Sequence, residues 1–388
     1  KLNIKNYLNK ISKSNQPYII YKSEKGFNFY TNFSKKIVLS NNNIVNFLNK
    51  INSKKKKLKK TDLYIGFFGY EILNNLINVK LPKQRSIKFP KGIFYKPDLL
   101  VKLPKNLPYR SDSNLNTDKN FNININKIAY TKIFKNFKKK ISKGETYQIK
   151  ICTKYKNNSK IDPLDYFCRL SKTNLAPEAF MIKDKNFSII SCSPENLIVK
   201  KGSSISTKPI AGTLRKNKKI NKTKALRFFR KNIKETKEHN MIVDMERSDL
   251  SKICKPGTVK LVKEKTVEEY KDLYHYVSLI KGKLKKKVNN IDIIKAMMPG
   301  GSVIGCPKIS TLNLLNHQEK ENRNIYTGSF GFIKFNGDMR FNIIIRSILN
   351  YNGISEISVA SGVVIDSNAN HEFNENFIKA KALIDLFK

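Results

Sequence analysis

Acidic residues are scarce in this chain of 388 residues. Its 30 aspartates and glutamates stand against 76 lysines and arginines, which gives a net charge of +46. Arginine is scarce as well, with ten among the 76 basic residues, and tryptophan is absent. Arginine is the side chain best suited to forked contacts with phosphates and base edges. A surplus made mostly of lysine is instead typical of solvated surface positions, which argues against nucleic acid as a partner.

Other absences exclude further classes. No stretch of about 18 apolar residues occurs, so the sequence predicts no transmembrane span and no membrane partner. The five cysteines are scattered and none forms a CxxC pair. This argues against a disulfide framework or a zinc site and predicts reduced, buried thiols in a cytoplasmic protein. Neither a P-loop nor a GxGxxG segment is present, so the common nucleotide-phosphate motifs are missing.

The apolar pattern predicts both helices and strands. Residues 130–141 have helical spacing, and Gly144 is placed to end that helix. Residues 147–155 alternate as a strand does. Other predicted elements are strands over 18–22, 63–70, 339–348 and 354–360, a strand pair around 193–195, helices over 222–244 and from about 372, and an irregular connection over 82–108. The mixture predicts an α+β fold with antiparallel neighbouring strands.

Two pairs of glutamates are the first sign of a functional site. Glu235 and Glu238 lie three residues apart in one predicted helix, and Glu372 and Glu375 lie three apart in another. This spacing puts each pair on one helical face. Carboxylate oxygens are the ligands that hard divalent cations prefer. The two faces therefore suggest a magnesium site, whereas the simpler alternative is two surface helices with solvated glutamates.

Ten short segments extend this pattern along the chain. They are residues 147–150 (Tyr-Gln-Ile-Lys), 193–195 (Ser-Pro-Glu), 209–213 (Pro-Ile-Ala-Gly-Thr), 235–244, 274–278 (Tyr-His-Tyr-Val-Ser), 299–308, 326–328 (Tyr-Thr-Gly), 341–346 (Phe-Asn-Ile-Ile-Ile-Arg), 360–367 and 372–379. In this order the series resembles the chorismate-utilising enzymes, in particular the large subunits of anthranilate synthase and aminodeoxychorismate synthase. The resemblance covers about residues 125–388.

The resemblance implies a fold and a division of the chain. The family's fold is α+β, with a large antiparallel β-sheet sandwich flanked by helices. Residues 121–388 would form the chorismate-binding catalytic domain. Residues 1–120 would be a divergent N-terminal region that packs on the same core.

The resemblance also implies a metal site. Glu238 and Glu375 would bind the Mg²⁺ ion that holds the ring carboxylate of chorismate. Glu235 and Glu372 would stand beside them, on the waters of the metal or one shell further out. A metal placed there both anchors the substrate and withdraws charge from the ring.

Further residues match the positions that hold the substrate in this family. Arg346 would form a fork to the enolpyruvyl carboxylate, a contact that suits a guanidinium. The alternative for Arg346 is a structural ion pair within an otherwise apolar strand. Tyr326 and Lys379 would contact substrate, and the turns at Gly300 and Gly362 would present backbone N–H groups to anions.

The chemistry would come from four other residues. Glu195 matches the general acid that protonates the departing C4 hydroxyl, which requires a raised pKa. His275 matches the catalytic histidine near C1 of the ring, and Ser302 a hydroxyl position beside it. Gln148 stands where family members that add water carry a lysine base. Because an amide cannot act as a base, Gln148 indicates ammonia as the nucleophile, and no base role is assigned to Lys150.

Two amination products remain open. The Gly-Gly-Ser segment at 300–302 and the segment 339–342 resemble aminodeoxychorismate synthase, which places nitrogen at C4. Ala211 points toward anthranilate synthase, because some C4-aminating enzymes carry a nucleophilic lysine at this position. We expect the C4 product, with anthranilate and pyruvate as the alternative.

The expected ammonia source is a second protein. No Cys-His-Glu amidotransferase segment occurs in the chain, so the resemblance implies a separate glutamine amidotransferase subunit. A non-catalytic relative that keeps the fold is a further alternative. It is disfavoured because the four glutamates, His275 and Arg346 occur together.

Overall fold

The computed structural model describes residues 3–51, 57–79, 89–111, 118–173, 175–216, 220–269 and 273–388. Over these ranges the α-helices are α1 (Ile4–Ser12), α2 (Ile44–Lys50), α3 (Tyr70–Leu76), α4 (Lys127–Ser142), α5 (Pro163–Thr173), α6 (Lys222–Lys231), α7 (Ile233–Ile253), α8 (Asn290–Met297), α9 (Lys308–Gln318) and α10 (Ala369–Ile384). Short 3₁₀ turns cover Gly301–Val303 and Asp385–Phe387.

The strands are β1 (Tyr18–Ser23), β2 (Gly26–Val38), β3 (Leu63–Phe68), β4 (Gly92–Leu103), β5 (Asn122–Ile123), β6 (Gln148–Asn158), β7 (Glu178–Lys183), β8 (Phe187–Ser193), β9 (Asn196–Lys201), β10 (Ser204–Lys208), β11 (Ile210–Arg215), β12 (Lys260–Glu269), β13 (Leu273–Lys283), β14 (Gly305–Cys306), β15 (Ser329–Lys334), β16 (Met339–Asn342), β17 (Ser347–Tyr351) and β18 (Ile354–Val363).

These strands pair antiparallel along one continuous path. The path runs β6, β18, β17, β8, β7, β1, β2, β4, β3, β15, β16, β9, β10 and β13. Strands β5 and β14 pair with β6, and β11 and β12 pair with β13. The predicted fold class is therefore confirmed. Strands β1 to β4 lie in the middle of this path, while the division of the chain after residue 120 stays a prediction.

The sheet has apolar residues on both of its faces. In β1, Ile19 and Tyr21 belong to a central cluster, whereas Ile20 belongs to a second cluster that includes residues of α1, α5 and α10. Across the central cluster the rings of Phe180 and Phe330 stack with centroids 3.8 Å apart. A third cluster joins the sheet to α2, α3, α7 and α8. Burial on both faces explains why the strands read as apolar runs as well as alternating ones.

Two elements predicted as continuous are interrupted. The predicted helix over 222–244 is two helices, because Asn232 is extended between α6 and α7. The helices serve different clusters: Phe229 of α6 stacks on Tyr276, and Leu250 of α7 joins the third cluster. The predicted strand over 339–348 is likewise two strands, β16 and β17. Between them the chain leaves the sheet at residues 343–346.

Two further predictions were wrong. The predicted strand pair around 193–195 does not exist, since β8 pairs with β7 and β17 while β9 pairs with β10 and β16. The segment 82–108 was predicted as irregular, yet β4 crosses most of its described part. Pro97 is accommodated because the register of β2 against β4 shifts beside it. Residues 82–88 of that segment lie outside the described ranges.

The five cysteines are free thiols, of which Cys152, Cys168, Cys192 and Cys254 are buried. Among the described helices, none has the length and apolarity needed to cross a membrane.

A buried arginine joins the strand β6 to the loop that carries Tyr326. Arg323 donates to Glu319 from Nε and from Nη2, at 3.0 and 2.6 Å. Its Nη2 also donates to the backbone carbonyl of Lys150 at 3.2 Å, and its Nη1 to Thr327 Oγ1 at 3.3 Å. The side chain is fully buried. Removing either charge of such a pair leaves the other without compensation inside the protein.

We therefore expect Arg323→Leu to lower the free energy of unfolding by about 3 to 5 kcal/mol, measured by urea denaturation. The double variant Arg323→Leu/Glu319→Leu should lose less than the single one, because no charge stays behind. Arg169→Leu, which breaks the half-exposed pair with Asp165, is the control and should cost about 1 kcal/mol or less. A single Arg323→Leu variant as stable as that control would contradict this assignment.

Candidate active site

The interrupted strand brings three predicted site residues together. Ile343 donates its N–H to the carbonyl of Glu195 at 3.1 Å, and Ile344 donates to Gly328 at 2.8 Å. Thr327, next to Tyr326, donates in turn to the carbonyl of Ile344 at 2.9 Å. The backbone groups of Ile343 and Ile344 thus form hydrogen bonds with the loops that carry Glu195 and Tyr326. Arg346 is the last residue of the same segment.

Glu195 lies in the connection between β8 and β9 and is buried. Ser302, on the 3₁₀ turn, donates from Oγ to Glu195 Oε1 at 2.8 Å. Burial raises the pKa of Glu195 to about 7, against the opposing effects of Ser302, Lys150 and Arg346. A carboxyl with this pKa retains a substantial protonated fraction at neutral pH, so Glu195 has the property that a general acid needs.

Arg346 adopts a left-handed backbone conformation, with φ of 52°. In the part of the chain that the structure describes, no carboxylate lies within ion-pair distance of its guanidinium, so the alternative of a structural ion pair finds no support here. Burial lowers the pKa of Arg346 from its ordinary value, and the negative charge of Glu195 partly opposes this. A guanidinium held without a carboxylate partner in this way is suited to binding an external carboxylate.

His275 lies in β13, in register with Thr213 of β11 and Glu268 of β12. Burial lowers its pKa to about 4, and the positive charge of Arg346 acts in the same direction. The imidazole is therefore neutral at physiological pH. Tyr326 is buried in a small cluster with Cys152, and burial raises the pKa of its hydroxyl, which therefore stays protonated.

The predicted metal ligands divide into two groups. At the start of α10, one ligand atom each of His371, Glu372 and Glu375 lie within 4.8 Å of one another. Glu372 is buried. Lys379 Nζ contacts Glu375 Oε1 at 2.7 Å and donates to the carbonyl of Ala360 at 3.0 Å.

Glu238, on α7, lies outside that group. Its Oε1 accepts from Lys150 Nζ at 3.1 Å and from Gln148 Nε2 at 3.2 Å. The charge of Lys150 is the main cause that holds the pKa of Glu238 below its ordinary value. The side chains of Glu235 and Ala211 lie outside the described part of the structure, so their roles stay predictions.

Gly362 makes room for these contacts. It pairs with Lys150 across β18 and β6. A Cβ atom at Gly362 would lie 2.8 Å from Lys150 Nζ and 2.9 Å from Gln148 Nε2. Any side chain there would force both donors to shift, so this glycine shapes the site. The backbone N–H that Gly362 would offer to an anion stays a prediction.

The sequence pattern missed two members of this cluster. Lys150 lies in phase with Gln148 on β6, and that alternation was the available signal for a shared face. His371 directly precedes Glu372 at the beginning of a helix, and nothing in its spacing distinguishes it from a solvated residue. Its side chain is two-thirds exposed.

Comparison with known proteins gives consistent matches. The family model described as chorismate binding enzyme matches residues 6–385. Aminodeoxychorismate synthase component 1 of Bacillus subtilis is 34% identical over 256 residues, which cover 66% of this chain and 54% of that protein. Anthranilate synthase component 1 of Mycobacterium tuberculosis is 33% identical over 252 residues, which cover 63% and 49%. The chain therefore spans about half the length of these two relatives.

Solved structures share the fold. Anthranilate synthase component I from Streptococcus pneumoniae superposes with a TM-score of 0.76 at 24% identity, covering 96% of this chain and 91% of that one. The menaquinone-specific isochorismate synthase MenF of Escherichia coli gives 0.77 at 15% identity, covering 97% and 90%. At these identities the likeness is one of fold.

The raised pKa of Glu195 predicts a pH-dependent stability. A carboxyl whose pKa is higher in the folded than in the unfolded state binds its proton more tightly when folded. Its stabilising effect is complete below about pH 4.5 and is lost as the pH rises through about 7. We expect Glu195→Gln to change stability little at pH 5 and to raise it by on the order of 3 kcal/mol at pH 8.

Urea denaturation of parent and variant at both pH values measures this difference. Glu145→Gln, at a surface ion pair with Lys140, is the control and should give the same small change at both. A Glu195→Gln variant whose effect does not grow with pH would mean that Glu195 titrates normally.

Proposed function

The chain belongs to the chorismate binding enzyme family, and from this premise we propose that it aminates chorismate with ammonia to give 4-amino-4-deoxychorismate. The proposal has three parts: the nucleophile is ammonia, Mg²⁺ anchors the substrate, and nitrogen is placed at C4. Each part draws on different residues of the site.

The arrangement of Gln148 and Lys150 carries the choice of ammonia. Activating water needs a base at this end of the site. Gln148 has an amide, and that amide donates to Glu238. Burial would lower the pKa of Lys150, but the charges of Glu238, Glu375 and Glu372 outweigh burial and raise it. Lys150 therefore keeps its proton at neutral pH, and ammonia, which brings its own lone pair, is the nucleophile that this site supports.

The donor set fits magnesium. Glu238, Glu372 and Glu375 offer the carboxylate oxygens that Mg²⁺ prefers. The two on α10, Glu372 and Glu375, already have ligand atoms within 4.8 Å of each other and of a His371 nitrogen. These glutamates, with Glu235, would hold the ion. When bound, Mg²⁺ supplies a positive anchor for the ring carboxylate of chorismate.

The remaining residues act on the substrate directly. Arg346 binds the enolpyruvyl carboxylate through its guanidinium fork, and Tyr326 and Lys379 complete the contacts. Glu195 gives its proton to the C4 hydroxyl, which departs as water, and Ser302 orients the carboxyl through its hydrogen bond. The incoming ammonia forms the new C–N bond and releases a proton, so the charges balance.

The weak basicity of His275 argues against anthranilate as the product. Forming anthranilate requires a base to remove the C2 proton while pyruvate leaves. With a pKa of about 4, His275 is a weak base. Two further observations support the C4 product. Ser302 belongs to a Gly-Gly-Ser segment that resembles aminodeoxychorismate synthase, and the first relative described above is an aminodeoxychorismate synthase.

Anthranilate synthase is the second candidate. It is supported by Ala211, which supplies no nucleophilic amine for a covalent C2 intermediate, and by relatives of that name at 33% identity. Both candidates use ammonia. We propose that a separate glutamine amidotransferase subunit delivers it, in keeping with the "component 1" in the names of both relatives.

Product analysis tests the proposal. We expect the purified chain, with chorismate, ammonium and Mg²⁺ at pH 8 to 8.5, to give 4-amino-4-deoxychorismate by mass spectrometry and little anthranilate fluorescence. The same mixture with EDTA should be inactive. Anthranilate as the main product would establish the second candidate, and full activity in EDTA would refute the metal assignment.

Arg346→Lys tests the carboxylate contact. The substitution keeps the charge but removes the two-point fork, so we expect KM for chorismate to rise about tenfold or more with a smaller change in kcat. Arg340→Lys, at the buried ion pair with Glu178 on the sheet, is the matched control. If KM for Arg346→Lys equals that of the parent, Arg346 does not bind the substrate.

A further inference from the structure

Lys150 contacts one acidic element of the site and is influenced by the charges of the other. Its Nζ is 3.1 Å from Glu238 Oε1 on α7. The charges of Glu375 and Glu372, on α10, also favour its protonated form. Within the described ranges, Glu238 has Lys150 as its one ion-pair partner. The ammonium is therefore in direct contact with a carboxylate oxygen that a divalent cation would also seek.

The fold determines this position of the ammonium. The N–H of Lys150 donates to the carbonyl of Ile304 at 3.0 Å, and its own carbonyl accepts from Arg323 Nη2 at 3.2 Å. Across the ladder stands Gly362, where a Cβ atom would lie 2.8 Å from Nζ and 3.3 Å from Cε of Lys150. The side chain is 12% exposed. The lysine side chain passes over the space above Gly362, so it does not extend into solvent as a surface lysine does.

The second lysine of the cluster has a different anchor. Lys379 contacts Glu375 on its own helix and also donates to the carbonyl of Ala360. That carbonyl would still hold Lys379 if Glu375 turned toward a metal ion. Among the described residues, the polar side-chain contact of Lys150, by contrast, is with Glu238. Lys150 is thus the cation whose contact a metal ion would take over.

We propose that Lys150 is an internal cation that competes with the divalent metal ion for Glu238. The inference rests on the magnesium role in the proposed function. Two cations that share one carboxylate oxygen repel each other, so the metal binds only when the ammonium leaves Glu238. The protein therefore requires more Mg²⁺ than the same site without Lys150 would, and the metal-free site stays compact because an ammonium neutralises it.

Titration calorimetry with Mg²⁺, without chorismate, tests the competition directly. We expect Lys150→Met to bind Mg²⁺ about tenfold more tightly than the parent. Lys150→Arg, which keeps the charge, should bind no more tightly. The matched control is Lys156→Met, which removes a lysine in phase with Lys150 on β6 that pairs with Glu321 and Glu356 instead; its Mg²⁺ affinity should equal that of the parent.

Thermal denaturation supplies a second readout. In EDTA, Lys150→Met should melt at a lower temperature than the parent, because the carboxylates repel one another without the ammonium. Mg²⁺ should then raise Tm more in the variant than in the parent, since tighter binding to the folded state stabilises it more. Lys150→Asn repeats both measurements with a shorter neutral side chain, in case the methionine variant does not fold.

The outcomes separate the two proposals. If the parent binds Mg²⁺ and both neutral variants bind it equally or more weakly, the competition is refuted while the proposed function stands. If neither parent nor variants bind Mg²⁺ at millimolar concentrations, the magnesium role itself is refuted, and the competition with it. Tighter binding confined to the two neutral variants at position 150 supports the proposal.

Discussion

Residues 343–346 leave the sheet between β16 and β17, and the site depends on where their backbone groups go. Buried N–H and C=O groups need partners. Here the partners are the loops that carry Glu195 and Tyr326, which are thereby fixed against each other. The interruption ends at Arg346, whose φ of 52° is unfavourable for a residue with a side chain. Such a conformation persists only where the surroundings determine it. Here it places the guanidinium, which has no carboxylate partner among the residues that the structure describes, close enough to Glu195 to influence its pKa.

Carboxylates are concentrated in this cluster, although the chain as a whole is strongly basic. The protein has more than twice as many basic as acidic residues, yet carboxylates from α7, α10 and the β8–β9 connection converge here. The lysines within it, Lys150 and Lys379, each contact one carboxylate. Because burial disfavours isolated charges of either sign, the acids and ammonium groups stabilise one another. The carboxylates outnumber these two lysines, so the cluster can accept an additional cation together with an anionic substrate.

The sequence predicted what depends on short spacing. The i,i+3 glutamate pairs, the helix ended by Gly144 and the α+β class follow from local pattern, and the structure has α4 and α10 where that pattern puts helices. The interruptions at Asn232 and at 343–346 were missed, because no glycine or proline marks the first and apolar residues continue across the second. Tertiary contacts decide both interruptions. Helices α6 and α7 pack on different clusters, and the backbone groups of residues 343–346 form hydrogen bonds with loops instead of with a neighbouring strand.

The electrostatic details were beyond the sequence for a related reason. The contact between Glu238 and Lys150 joins residues that lie 88 positions apart in the sequence. It is possible because Gly362 is a glycine and leaves room for the lysine. The pKa values of Glu195 and His275 depend mainly on burial, which residue type alone does not define. Family resemblance could name Glu195 as an acid. It could not supply the physical reason for the raised pKa, which is desolvation. The hydroxyl of Ser302 and the charges of Lys150 and Arg346 oppose that effect.

The choice between C2 and C4 amination rests on how strong a base His275 is in the occupied site. Three effects lower its pKa: burial, which is the largest, the charge of Arg346 and the charge of Lys208. A substrate carboxylate bound to Arg346 would offset the second effect and strengthen the base. It would also exclude water and so leave the first effect in place. Since the largest effect remains, we expect His275 to stay a weak base when the substrate is bound, which disfavours loss of a C2 proton and release of pyruvate.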